Sequence, residues 1–528
     1  MAAGITLAAR SDNQFAQHGK WIVAASVLAG SMMSAIDTNI VNVSLAHIEA
    51  SYGVTTQEVT WVTTSYLITL VITLPLTNWV ASILGRKRMF LAAIAIFSVA
   101  SLLCGLSRTL DELIAFRVLQ GIGGGALQPT AQAIMRETFP VEEQGQAMSY
   151  YGVIVLLGPA IGPTLGGWLT DTFSWPWIFF VNVPVGVLGL IMGLRYIVDP
   201  PYMRGRKIGK IDGVGIGLLA VGLASLQVVL EEGERNGWFQ SGFILTLIVL
   251  AVVSLTAFVF WELRVPEPAV NVRILRNVSF AAGTFVGGIV SMTRFGSFIL
   301  LPLFLQQSLG YSATQAGLTV MPRTLTMVFT MPILGNLYNR LGVYIMLPIG
   351  IILSAVSCFM MAGFTLASGP AQLLLPQFIQ GLGSSFVWVS LTTTSLSTIP
   401  RAQMQSATGM NSLLRQLGSS LGTALVITVA DHKTTTSSAN LVRYASTSNP
   451  TFMHWWNVYQ HMFITRGSDP TIAHWQALDW LQALIQQQST VVGYDYAFAV
   501  IGWISLLCLP LVLLMRRGTA ADRAAAAE

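Results

Sequence analysis

Long apolar runs alternate with short polar or charged segments along nearly the whole chain. A helix needs about 20 mostly apolar residues to cross a bilayer. The pattern predicts fourteen such helices, near residues 21-46, 58-81, 89-107, 112-134, 146-169, 176-197, 213-231, 241-262, 279-305, 312-338, 343-364, 371-396, 404-430 and 491-515. An even number places both termini on one side. The long interruption at 431-490 carries "FMHWWNVYQHMF" and "HWQALDWLQALIQQQ", aromatic and glutamine-rich but poor in charge.

Basic residues orient these spans. Segments on the side of the termini hold Lys20, Arg86, Lys87, Arg88, Arg195, Arg204, Arg206, Lys207, Lys210, Arg264, Arg273, Arg276, Arg340, Arg401 and Arg516, among others. Segments on the far side hold Arg108, Arg235, Lys433, Arg443 and Arg466. Cytoplasmic loops attract lysine and arginine, so both termini are expected in the cytoplasm. Residues 1-20 lack an apolar core leading to a cleavage site, so they read as a mature cytoplasmic segment.

The composition agrees, with 53% hydrophobic and 10% charged residues, against about 25% charged in a soluble domain. The class is an all-α polytopic membrane protein. Its net charge of +5 is accounted for by basic loops in contact with membrane lipid, and a nucleic-acid partner is not expected. Cys104, Cys358 and Cys508 each fall in an apolar run and read as small buried hydrophobes. His454, His461 and His474 lack the spacing of a metal site, and no cofactor motif is present.

An internal duplication is visible at an offset near 258 residues. "FRVLQGIGGG" from 116 faces "PQFIQGLGSS" from 376, Pro75 and Gly85 face Pro332 and Gly342, and Gly158 and Gly162 face Gly418 and Gly422. The register is eight spans, which implies two six-helix bundles with two inserted helices. The expected divisions are 1-20, a bundle at 21-198, a linker with two helices at 199-278, a bundle at 279-515 including the loop 431-490, and a tail at 516-528. Parallel six-helix repeats around a midplane cavity are a transporter architecture.

Asp37, in "SAIDTNIVNVSL", is the acidic residue placed well inside a span. Burial disfavours the charged carboxylate and a nearby cation favours it, so a group set between these influences can carry a proton across. A structural ion pair, or capping by Thr38, Asn39 and Asn42, is the alternative. Arg117 is the expected cationic partner, with Gln120 one turn away; a structural anchor is its alternative. Arg294 and Arg323 could line the cavity or reach an interface, and the interface is the favoured reading. Glu58 reads as half of a capping box with Thr55. A promiscuous site would be apolar and aromatic with few polar anchors. By helix membership its candidates are Asn42, Trp61, Tyr66, Gln120, Tyr151, Gln377, Gln380, Trp388 and Arg415.

Several motifs resemble the major facilitator superfamily and, within it, the 14-span drug:proton antiporters of the EmrB type. "LQGIGGGALQP" preceded by Arg117 is similar to that family's span-4 motif, and "GPAIGPTLGG", with Gly158, Gly162, Pro163, Gly166 and Gly167, to its span-5 antiporter motif. "IDTNIVNVSL" and "WPWIFFVNVPVG" resemble the motifs of span 1 and the opening of span 6. The gating loop between spans 2 and 3 keeps Gly85, Arg86 and Lys87, but Asn78 and Ser82 replace its first glycine and its aspartate. The second copy keeps Gly335, Arg340 and Gly342. The resemblance implies a major facilitator fold and proton-driven efflux of hydrophobic toxic molecules across a bacterial inner membrane. It also implies a periplasmic membrane-fusion adaptor (EmrA-like) docking near 431-490 and an outer-membrane channel (TolC-like). A proton-coupled nutrient or metabolite symporter of the same fold is the competing reading. No nucleophile, P-loop or His/Cys/carboxylate constellation suggests an enzyme.

Overall fold

The computed structural model describes residues 2–140, 143–198, 212–266, 268–400 and 403–515. Arg204, Arg206, Lys207, Lys210, Arg401 and the tail from 516 lie outside the described residues. The amino-terminal half comprises α1 (Ala2–Tyr52), α2 (Thr56–Val59), α3 (Trp61–Leu84), α4 (Arg86–Leu106), α5 (Leu110–Thr138), α6 (Gln144–Thr172), α7 (Trp177–Phe180) and α8 (Asn182–Tyr196). Two inserted helices follow, α9 (Gly213–Glu232) and α10 (Gly242–Glu262). The second half comprises α11 (Val278–Gln307), α12 (Ala313–Leu341), α13 (Val343–Met361), α14 (Pro370–Thr394), α15 (Met404–Arg443), α16 (Pro450–Thr465), α17 (Pro470–Leu507) and α18 (Leu509–Val512).

Among the described residues, eleven helices are long and apolar enough to cross a membrane. A twelfth, α6, is bent between Gly158 and Ile161, in the turn before Pro163, where the proline removes a backbone donor. Helices α5 and α14 are as long but less apolar, because glycine and glutamine replace aliphatic residues where they meet their neighbours. Gly121 and Gly125 lie against the α3 backbone, and Gly381 against α12.

The duplication is structural as well. Gly85 (φ +82°) and Gly342 (φ +73°) each form the one-residue joint between consecutive helices. With ψ of 159° and 177° these positions are all but reserved for glycine, and an L side chain there would cost about 1–3 kcal/mol. The joint before α2 has a capping box of Thr55 and Glu58, and at the same offset Ser312 and Gln315 cap α12. Asn42, expected with Thr38 and Asn39 as a possible cap, accepts instead from Thr63 at 3.3 Å, while Thr38 and Asn39 bond back to carbonyls in α1.

Glycine faces set how closely the helices pack. On α6, Cβ atoms at Gly158 and Gly166 would meet backbone atoms of Ala35 and Ile40 in α1 at 2.5 and 2.8 Å. Gly418 and Gly422 of α15 press in the same way on Gly288 and Met292 of α11. The inserted helix α9 lies where the halves meet, touching both α3 and α15, and Gln227 donates to Ser420 Oγ at 2.9 Å. Within 431-490 the chain is largely helical. Helices α15 and α17 extend past their apolar segments and α16 packs on α17.

Candidate functional site

Asp37 and Arg117 are both fully buried and form an ion pair, with Arg117 Nη1 donating to Asp37 Oδ2 at 2.6 Å. Five elements converge on the pair. Gln120 Nε2 on α5 donates to Asp37 Oδ1 at 2.9 Å, and Asn182 Nδ2 on α8 donates to the same oxygen at 3.3 Å. Both amides also donate to Ser101 Oγ on α4. The Arg117 guanidinium lies 4.0 Å from the Tyr66 ring centre, and its Nε donates to the Val62 carbonyl on α3 at 3.0 Å. Arg117, Gln120 and Asn182 all donate to the carboxylate, which only accepts from them. Protonating Asp37 would remove the counter-charge of Arg117, so proton uptake and release of the guanidinium are physically linked.

A separate cavity lies mainly in the second half. Gln380, Trp388, Asn411, Arg294 and Arg415 line it, and a smaller lobe is lined by Arg294, Arg323, Phe295, Phe298 and Met327. Trp388 stacks with Tyr151 of α6 across the interface, ring centres 6.5 Å apart.

The expected site residues therefore divide. Gln380, Trp388 and Arg415 line the cavity and Tyr151 borders it, whereas Tyr66 and Gln120 belong to the Asp37 cluster. Gln377 is buried and accepts from Arg323 Nε at 3.0 Å. Trp61 and Asn42 do not line the cavity; Trp61 is 37% exposed and Asn42 is exposed as well. Helix membership had placed them there, but it fixes neither depth nor facing. Arg294 and Arg323 correct the opposite error, lining the cavity instead of reaching an interface. A second acid, Asp495 of α17, also lies in an apolar helix, with Oδ1 buried and unbonded. Asn182 and Ser101 were missed. Asn182 sits in the "VNVPVG" motif, while nothing local distinguishes Ser101.

The span-5 strip is shorter than the motif. Gly158, Gly162 and Gly166 face α1, whereas Gly167 makes only an ordinary 3.8 Å contact with Val43 and Pro163 is exposed. The three contact glycines bracket the α1 segment that carries Asp37. At the gating loop Arg86 is buried and pairs with Glu137 of α5, a carboxylate in place of the absent loop aspartate. Lys87 donates to the Leu194 carbonyl at 2.7 Å, and Arg340 is exposed. The halves meet at this end. Gly145 abuts Gly335, Gln405 donates to Thr130 at 3.0 Å, and Arg136 Nη2 donates to the Thr392 and Thr393 carbonyls at 2.8 and 2.6 Å. Arg136→Gln is expected to let this end open. Maleimide labelling of a cysteine placed at buried Ser406 should become about tenfold faster, the worth of charge-assisted bonds lost.

Two repeated helical bundles joined at one end, with a cavity among their helices, are the architecture of a secondary transporter. The chain belongs to the major facilitator superfamily, the family description it matches over residues 27–423. It is 32% identical over 493 residues to the multidrug export protein EmrB of Escherichia coli K12, covering 93% of this chain and 94% of that protein. Two solved structures are similar in fold. The human organic anion transporter MFSD10 has a TM-score of 0.60 at 15% identity, covering 93% of this chain and 99% of that one. The proton:xylose symporter XylE has a TM-score of 0.57 at 14% identity, covering 94% and 95%. At such identities the likeness concerns the fold alone, which decides neither cargo nor direction.

Proposed function

We propose that the protein is a proton-coupled exporter of hydrophobic toxic small molecules in a bacterial inner membrane. The observation that carries this reading is the likeness to EmrB along nearly the whole chain. The buried Asp37 and Arg117 pair supports a role in proton coupling. In this reading α5 and α14 also cross the bilayer, giving fourteen spans, and both termini are cytoplasmic. The joined end, with Gly85 and Gly342, then faces the cytoplasm. Protonation of Asp37 from the outer side frees Arg117, releases cargo outward and permits the inward-open arrangement, from which the proton leaves as new cargo enters. The extensions of α15 and α17 with α16 would receive a periplasmic EmrA-like adaptor leading to a TolC-like outer-membrane channel.

The test uses inverted membrane vesicles energised to an acidic interior. A hydrophobic drug added outside should trigger proton efflux in vesicles that contain the protein and not in those that lack it. Accumulation of a nutrient in right-side-out vesicles, driven by inward protons and with no drug response in the inverted ones, would favour the symporter reading instead.

A further inference from the structure

Three arginines gather in the cavity of the second half. Arg294 of α11 lines both lobes, Arg415 of α15 the larger and Arg323 of α12 the smaller. Arg323 is 2% exposed, and both of its Nη atoms are buried without a hydrogen-bond partner. Arg294 and Arg415 both lie over the Trp388 ring, 5.5 and 4.9 Å from its centre. The ion pairs Lys20 with Glu143, Arg86 with Glu137, Arg117 with Asp37 and Arg235 with Glu232 include none of the three. Arg294 and Arg415 are part-buried, and Arg415 donates to Ser412 Oγ at 3.4 Å. A buried guanidinium without a counter-charge, as in Arg323, is strongly unfavourable unless something supplies one.

The internal repeat makes this arrangement specific. At the offset that relates Gly53 to Gly310 and Gly85 to Gly342, Asp37 corresponds to Arg294 and Tyr66 to Arg323. The "FRVLQG" and "PQFIQG" segments align Arg117 with Gln377. In the first half an acid neutralises a base within the protein. In the second half the acid's position holds a base, and the cavity lining contains no acidic residue.

We propose that this cavity binds the anionic head, a carboxylate or its equivalent, of an amphipathic molecule. Arg323 presents its free guanidinium edge, a geometry suited to two parallel bonds to a carboxylate. Arg294 and Arg415 add charge from the other side, and the apolar part of the ligand packs on Phe295, Phe298, Met327 and Trp388. The inference deepens the exporter reading by naming its cargo class, and it rests on that reading for the transport step alone.

The experiment measures equilibrium binding to the purified full chain in phosphatidylcholine nanodiscs, with counts from protein-free discs subtracted. The probes are tritiated naphthyl-alkyl compounds that differ only in the head: carboxylate, primary amide or trimethylammonium. The carboxylate should bind about tenfold tighter than the amide, the worth of charged hydrogen bonds, and the trimethylammonium weakest. Arg294→Gln and Arg323→Gln should each lose the carboxylate advantage while keeping amide affinity. Arg294→Lys, which keeps the charge, should retain most of it, so that loss of fold is distinguished from loss of charge. Equal binding of the three heads in wild type, or a carboxylate preference that survives both Gln variants, would overturn the site. Repeating the measurement in phosphatidylglycerol discs separates the sources of the anion. Undiminished carboxylate binding supports cargo, and displacement by the lipid overturns the cargo assignment in favour of a headgroup site. The vesicle assay is read in parallel. Carboxylate binding with no drug-triggered proton movement would defeat the exporter reading and leave the site. Proton movement without carboxylate preference would defeat the site and leave the exporter.

Discussion

Asp37→Asn is expected to abolish cargo-triggered proton efflux from inverted vesicles while the cavity still binds cargo, with its affinity lowered toward that of the protonated state. The two halves of this expectation come from different parts of the molecule. Asp37 is the proton-binding candidate, held by Arg117, Gln120 and Asn182, whereas none of these residues lines the cavity. The substitution also leaves Arg117 buried without its counter-charge, a loss of about 3–5 kcal/mol for a broken buried pair. Asp37→Asn,Arg117→Gln is therefore the companion variant. It should recover thermal stability relative to Asp37→Asn yet remain uncoupled. Recovery of proton efflux in the double variant would remove Asp37 from proton transfer and reduce the pair to a structural tie.

Gly158→Ala is expected to destabilise the protein by about 1–3 kcal/mol, the usual cost of overpacking a close contact. The added methyl would lie 2.5 Å from the Ala35 carbonyl carbon and oxygen, and a helix backbone cannot swing aside as a side-chain tip can. Gly167→Ala, one position past the same face, meets nothing nearer than Val43 at 3.8 Å and should stay within about 0.5 kcal/mol of wild type. Thermal unfolding of the two variants in detergent tests the difference. A Gly158→Ala protein as stable as wild type would refute the packing account. If it also fails to transport, the glycine serves motion rather than assembly.

The helices and their repeat were legible because apolar length, glycine spacing and basic loops each act locally. The predicted spans at 112-134 and 371-396 became α5 and α14 even though both fall short in apolar character, since their glycines announce close packing rather than lipid. The Asp37 and Arg117 pair was legible for the same reason that it is costly: charges in a bilayer need partners, and few were on offer. The cavity was less so. Trp61 and Arg294 both occur in nearly uniform apolar helices, where no amphipathic face tells which way a side chain points. Only the packing of α11 on α15 turns Arg294 inward toward Trp388 and Arg415.

The position of α9 has a consequence for how molecules reach that cavity. The two bundles meet along two seams, α3 with α15 and α6 with α12. The inserted helix covers the first, seated on both α3 and α15. A hydrophobic molecule dissolved in the surrounding lipid thus finds one seam shielded and the other uncovered by the insertion. The insertion makes the two seams unequal within the plane of the bilayer, since only the α3 and α15 seam carries a covering helix.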